Sequence, residues 1–364
     1  MNFHEPTSLG KNKTVANRIV LAPLTNLQSN DDGTLGDDEY RWLVRRAEGG
    51  FGIIISCAAY VSDDGKGWEG ELGISSEKHL PGLKRLADGI HENGSLGIVQ
   101  IFHGGARSPE KVTGKIPLSA SSFPVSSSGK TLTREAIGED IQNVIHSFVN
   151  AAHIASQAGW DGVELHGAHG YLLHQFLSTE TNKRTDEWGG NFENRSRLLL
   201  SILKKIRHEL PGDFIVGVRL SPEDYGVFKG IDFDESLKTA EKLAAQGADY
   251  IHVSAWDSFK KPEKYPDKDK SIVEYFREAL ATDVKLMVAG KIWTPEEAEK
   301  ILSLGADLAV LGRVAIGNPD WPKLAAGKDF SPLRPPFSKE HLRKVSVGER
   351  FINYLQGRWK NFVK

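Results

Sequence analysis

The sequence predicts an α/β protein folded as a single (β/α)8 TIM barrel, on three observations. First, one joint recurs: a helical stretch ends at glycine, the chain turns tightly, and an apolar run begins. It reads Glu48-Gly49-Gly50-Phe51-Gly52-Ile53, Ala158-Gly159-Trp160-Asp161-Gly162-Val163, Gln246-Gly247-Ala248-Asp249-Tyr250-Ile251 and Leu304-Gly305-Ala306-Asp307-Leu308-Ala309. Glycine reaches positive φ without strain, so it can close a helix and lead straight into a buried strand. Second, eight short apolar runs fit parallel strands with amphipathic stretches between them. Third, no break in composition divides the 364 residues, which favours one closed barrel over two domains.

The elements follow in order. Thr7–Asn17 reads as a hairpin that plugs the bottom of the barrel. Strands are expected at Ile19–Ala22, Gly52–Cys57, Leu96–Ile101, Gly162–His166, Phe214–Arg219, Tyr250–Val253, Lys285–Ala289 and Asp307–Leu311. Amphipathic helices fit Asp37–Ala47, Ile141–Gln157, Ser196–Glu209 and Glu235–Ala245. Two long loops, Gly104–Gly138 after the third strand and Ala255–Lys270, leave strand C-termini. Barrel enzymes keep their active sites on that face, so both loops are read as active-site cover. One domain, 1–364, is thus expected to hold the barrel (17–330), a capping insertion (104–138) and a C-terminal extension (331–364).

Composition narrows the function. With 39% hydrophobic and 26% charged residues and a net charge of −2, neither nucleic acid nor an anionic membrane is expected as a partner. No stretch approaches the roughly 18 apolar residues of a spanning helix, and the opening MNFHEPTSLGKNKT has no apolar core of a leader. A cytoplasmic protein is expected. The single Cys57 excludes structural disulfides and a Cys-ligated zinc or iron–sulfur site.

Alternation within strands decides which side chains enter the barrel. In Val163-Glu164-Leu165-His166 the apolar pair faces the helices, so Glu164 and His166 point inward. By the same rule Gln100 and Phe102 face in from the third strand and Arg219 from the fifth. Unpaired polar groups cost several kcal/mol to bury, so three at separate strand ends point to a ligand. The densest cluster is His166-Gly167-Ala168-His169-Gly170-Tyr171. Two imidazole N–H donors converging on one oxygen stabilise developing negative charge, each worth roughly two to three orders of magnitude in rate. Tyr171, with an ordinary pKa of about 10, stays protonated near neutrality and can give a proton to a carbanion. The same two histidines could instead ligate a metal.

Gly65-Lys66-Gly67-Trp68-Glu69-Gly70 matches GxGxxG, but a dinucleotide fingerprint must join a strand directly to a helix. No helix opens after it, so it is rejected. Val288-Ala289-Gly290 with Leu311-Gly312-Arg313 makes a better phosphate cradle, since exposed N–H groups and a cation at strands seven and eight suit phosphate.

At this point the sequence resembles the Old Yellow Enzyme family of FMN-dependent ene-reductases over nearly its whole length. The likeness runs through Ala22-Pro23-Leu24-Thr25, Gln100 with His103-Gly104-Gly105, and the His166–Tyr171 cluster continuing to Ser178. It goes on through Asn182–Gly190, Glu193-Asn194-Arg195, Val218-Arg219-Leu220-Ser221 and Leu311-Gly312-Arg313. The resemblance implies tightly bound, non-covalent FMN with NAD(P)H as hydride donor, reducing alkenes activated by a carbonyl or nitro group. It implies that Pro23, Thr25 and Ala58 line the flavin, Gln100 bonds its pyrimidine edge and Arg219 sits by N1 and O2. Gly290, Gly312 and Arg313 would hold the phosphate; His166 and His169 would grip the substrate oxygen, with Phe102 and Leu27 beside the substrate. Tyr171 would protonate Cα. Thr25 stands where one subgroup has Cys, Leu27 where it has Tyr, Phe102 where others have Trp, and Ala106 where Arg is frequent; these bear on substrate preference. Arg358 resembles an arginine that reaches a neighbouring subunit's site in some relatives, but is read here as an exposed tail residue. A homo-oligomer stays open.

Two rival readings remain: a metal-assisted barrel hydrolase with His166 and His169 as ligands, and a non-catalytic barrel binding a phosphorylated molecule through Gly290 and Arg313.

Overall fold

A computed structural model describes residues 2–125, 132–226, 228–327 and 329–364. Its eight parallel barrel strands are β1 (Ile19–Leu21), β2 (Ile53–Ile55), β3 (Leu96–Phe102), β4 (Gly162–Gly167), β5 (Ile215–Leu220), β6 (Tyr250–Ser254), β7 (Lys285–Ala289) and β8 (Leu308–Leu311). Each pairs with the next, and β8 returns to β1 with Val310 opposite Val20, which closes the cylinder. Between them lie α1 (Asp37–Glu48), α2 (Leu80–His91), α3 (Gly138–Gln157), α4 (Phe192–Glu209), α5 (Phe233–Ala245), α6 (Ile272–Ala279) and α7 (Pro295–Ser303).

The helix-to-strand glycines do what the sequence asks of them: Gly50, Gly159, Gly247 and Gly305 all have positive φ. Several helices begin earlier than the apolar pattern alone predicts. The Asn191 side chain accepts from the Asn194 N–H, and Asp232 accepts from Asp234 and Glu235, so capping rather than burial sets those starts.

Burial follows the strand alternation. Val99, Ile101, Val163, Leu165, Val216 and Val218 pack outward under the helices. Val20, Ile53, Ile55, Ile98, Ile215, Tyr250, Met287, Leu308 and Val310 fill the interior, together with Leu9 and Val15. Those last two belong to an antiparallel hairpin, Thr7–Leu9 with Lys13–Val15, which plugs the bottom and leaves the other end for ligands.

Two segments build over that open end. The insertion after β3 forms a helical turn at Gly105–Arg107, a short helix at Glu110–Thr113 and a strand pair joining Leu118–Ser119 to Arg134–Glu135; residues 126–131 of the expected cap lie outside the described residues. Beyond the barrel, α8 (Glu349–Arg358) buries Phe351, Ile352 and Leu355, with Phe351 edge-on to Trp42 of α1 at 5.2 Å. The buried Arg46 guanidinium fastens this region, donating to the carbonyls of Ala315, Ile316 and Val345. Among the described residues no helix is long and apolar enough to cross a membrane.

Candidate active site

Above the apolar interior lies a polar layer. Gln100 Nε2 donates to Glu164 Oε1 at 2.7 Å, and His252 Nδ1 lies 2.8 Å from Glu164 Oε2. Burial alone would raise the Glu164 carboxyl, but His252, Arg219 and Gln100 hold it below its ordinary value. It is therefore an anion, facing a fixed cation. Tyr250 lies beneath, its ring packed where a side chain on Gly217 would stand. The sequence shows His252 and Ser254 only through β6 alternation: Ile251 and Val253 face out, so Tyr250, His252 and Ser254 face in.

On this layer rests an open cavity of about 800 Å³ whose walls include Pro23, Thr25, Ala58, Gln100, His166, His169, Tyr171 and Arg219. A second cavity of about 310 Å³ continues from it past Gly290, Gly312 and Arg313, sharing Leu24, His169, Arg219, Ser254, Ala255, Trp256 and Trp359 with the first. Together they form one elongated groove, with His166 and Tyr171 at one end and Gly290, Gly312 and Arg313 at the other.

Not every expected residue reaches it. Phe102 is fully buried, its ring 4.9 Å from that of Tyr171, and is not on the cavity wall. It faces inward as expected but packs against the Tyr171 ring. Leu27 is also off the wall; it has φ of 59° and its carbonyl abuts Gly70. That contact, with Gly65 against the His103 ring, is the packing reason for Gly65 and Gly70 in the rejected GxGxxG run. Arg358 is exposed, yet its side chain lines its own chain's cavity beside Tyr354 and Trp359. Sequence reasoning missed those two, and also Arg107, Tyr225, Phe228, Ser254 and Trp256.

The histidines differ from the convergent pair expected. The Ala168 N–H donates to His166 Nδ1, which leaves the proton on Nε2. That nitrogen is 3.2 Å from His169 Nδ1, and His169 Nε2 is 2.9 Å from Ser254 Oγ. The donors therefore run in series, because each neutral imidazole offers one donor and one acceptor. Both imidazoles are thus engaged within the protein itself. Burial, then the nearby Arg219 charge, pushes both imidazoles well below their ordinary pKa. They are neutral donors at neutral pH.

Tyr171 is 8% exposed, and its ring lies 4.8 Å from that of His166 with the Arg107 guanidinium 4.5 Å above its centroid. Burial raises the phenol, so it keeps its proton. Arg107 Nη1 donates to the His169 carbonyl at 2.6 Å. Gln175 ties the cover to this loop, accepting from the Ala106 N–H and Ser119 hydroxyl and donating to the Gly170 carbonyl.

The residues fit FMN. Arg219 is buried at 7% exposure, and among the described residues its Nε has no hydrogen-bond partner, nor does His252 Nε2. A buried cation with one unpartnered N–H at the floor of a groove suits an electron-rich ring edge. At the other end, a Cβ on Gly290 (φ 156°) would stand 2.8 Å from both the Ala255 carbonyl oxygen and the Ser258 nitrogen. Both are backbone atoms. Gly290→Ala is therefore expected to displace the cradle, and the flavin retained per protein on desalting should fall; full retention would contradict the role of this glycine.

Among the described residues no group of three His, Cys, Asp or Glu side chains could hold a metal ion.

The model of the NADH:flavin oxidoreductase / NADH oxidase family matches residues 2–328. The probable NADH-dependent flavin oxidoreductase YqiG of Bacillus subtilis (strain 168) is 34% identical over 321 residues, covering 87% of this chain and 86% of that protein. An NADH:fumarate oxidoreductase of Klebsiella pneumoniae (strain 342) is 34% identical over 335 residues, 90% of this chain but only 36% of its own length. The structure superposes on the old yellow enzyme homologue from Zymomonas mobilis with a TM-score of 0.82 at 26% identity, covering 94% of this chain and 96% of that one.

Proposed function

The chain belongs to the NADH:flavin oxidoreductase / NADH oxidase family, that of the Old Yellow Enzymes, and from that premise we propose that it reduces alkenes activated by a carbonyl or nitro group. It is an FMN-dependent NAD(P)H oxidoreductase. The single observation that carries the choice of acceptor is the neutral His166–His169 pair beside a protonated Tyr171 on one cavity wall.

Bound FMN supplies the two-electron relay, taking hydride from NAD(P)H and passing it to the alkene's Cβ. The chain's residues do the rest. Pro23, Thr25 and Ala58 would line the ring, Gln100 would meet its polar edge, and Arg219 would offset negative charge there; Gly290, Gly312 and Arg313 would hold the phosphate. His166 and His169 donate N–H bonds to the substrate oxygen as it gains charge. Tyr171 Oη gives its proton to Cα and is reprotonated from solvent, so NAD(P)H and one proton are consumed per saturated product. One groove serves both half-reactions, consistent with the absence of a second nucleotide fingerprint in the sequence.

The purified protein should be yellow, release FMN on denaturation, and bleach on adding NAD(P)H without oxygen, the colour returning when 2-cyclohexenone is added. A yellow protein whose reduced form ignores enones and nitroalkenes would overturn the acceptor.

The pKa directions fix a pH profile. Buried imidazoles with lowered pKa values stay neutral above about 6.5, and a phenol with a raised one stays protonated to about 10. The alkene half-reaction should therefore be flat between those limits, followed by stopped-flow. An acid limb near 6.5 would mean that an ordinary imidazole titrates in the site.

A further inference from the structure

We infer that Arg107 and Arg358 form a second anion-binding subsite, and that the preferred substrate is an activated alkene that also carries a carboxylate. The inference rests on the ene-reductase reading above and names its substrate class.

Four arginines line the joined groove: Arg107, Arg219, Arg313 and Arg358. Among the described residues no Asp or Glu lines either part. Among the described residues none of the four ion-pairs with a carboxylate, whereas Arg45, Arg184, Arg195 and Arg207 elsewhere all do. The flavin accounts for two of the four: Arg219 on the floor and Arg313 at the phosphate end. Arg107 and Arg358 line only the larger chamber, with His166, His169 and Tyr171, and remain without a counter-ion.

Each is delivered by a segment that covers the barrel. Arg107 belongs to the insertion after β3 and is held over the Tyr171 ring by its bond to the His169 carbonyl. Arg358 ends α8. Phe351 and Leu355 anchor that helix in the core, so Tyr354 and Arg358, also four apart, share a different face and reach the chamber. The family model ends at residue 328, so Tyr354, Arg358 and Trp359 come from sequence outside its match. A guanidinium recognises a carboxylate through paired N–H donors, and aromatic walls from Tyr354, Trp359, Phe228 and Trp256 suit a flat apolar body. Such a substrate is gripped twice, its carbonyl by the histidines and its carboxylate by the arginines.

The test compares 4-oxo-4-phenylbutanoate, the saturated acid, with its methyl ester by calorimetric titration of the oxidised holoenzyme. Binding of the saturated pair needs no turnover, so a chain that fails to reduce the alkene, sinking the ene-reductase reading, still decides this one. The acid should bind about tenfold tighter than the ester, as expected for one charge-assisted contact. In Arg107→Gln/Arg358→Gln the ratio should fall towards one, and in Arg107→Lys/Arg358→Lys much of it should return. A ratio near one in the unaltered protein, or one that persists in the Gln double variant, overturns the inference. NADPH is the other source of anionic oxygens: if the Gln variant weakens only NADPH relative to NADH, the pair serves the nucleotide's phosphate and the substrate assignment falls.

Discussion

Tyr171→Phe is expected to slow alkene reduction by about 10²–10⁴-fold, the usual worth of a positioned general acid, while reduction of the flavin by NAD(P)H continues. The two half-reactions differ in what they ask of this residue. Hydride leaves NAD(P)H without a proton from the protein, whereas saturation of the alkene places a proton on Cα. The substitution is also clean. The Tyr171 ring keeps its contacts with Phe102, His166 and Arg107 when only the hydroxyl is removed. Among the described residues that hydroxyl bonds to no other group, so its loss strands no partner. Stopped-flow of each half-reaction separates the outcomes: equal losses in both would refute the proton-donor role and make Tyr171 a packing residue.

What the sequence could disclose depended on how local each determinant was. The barrel was legible because its signals are local: a glycine at positive φ, an apolar run, a capped helix. Inward placement of Gln100, Glu164, His166 and Arg219 was legible for the same reason, since strand alternation has period two. His252 and Ser254 follow that rule too and could have been found by it. Arg107, Tyr354, Arg358 and Trp359 obey no such rule. Their position depends on how two covering segments fold back, through Gln175 to the Gly170 carbonyl and through Phe351 against Trp42. Residue-by-residue likeness misled in turn at Phe102 and Leu27. A position that aligns with a substrate contact need not reach the wall when its side chain is packed elsewhere. The place of the histidines on the cavity wall was legible, but their mutual bond was not, because tautomers depend on partners such as Ala168 N–H and Ser254 that the pattern does not show.

That mutual bond shapes the second large effect. In His166→Ala/His169→Ala, alkene turnover should drop by about 10²–10³-fold or more, the range for losing preorganised donors to a developing oxyanion. Phenol binding by the oxidised enzyme, with its long-wavelength band, should disappear as well. A phenolate bound on the flavin needs N–H donors, and both rings, held neutral by burial, each keep one N–H to donate. The single variants should not sum to the double. His166 Nε2 and His169 Nδ1 occupy one another in the free protein, so removing either ring frees a group on the survivor to turn towards the ligand, and residues acting as a unit are strongly non-additive. Arg219 offers the competing account. It donates to Ser254 Oγ at 3.1 Å and lines both parts of the groove, where its charge is a second candidate for holding the phenolate. The two accounts part at the double variant, which leaves Arg219 in place: phenol affinity there equal to that of the unaltered protein would assign the anion to the guanidinium and remove the imidazoles from the mechanism.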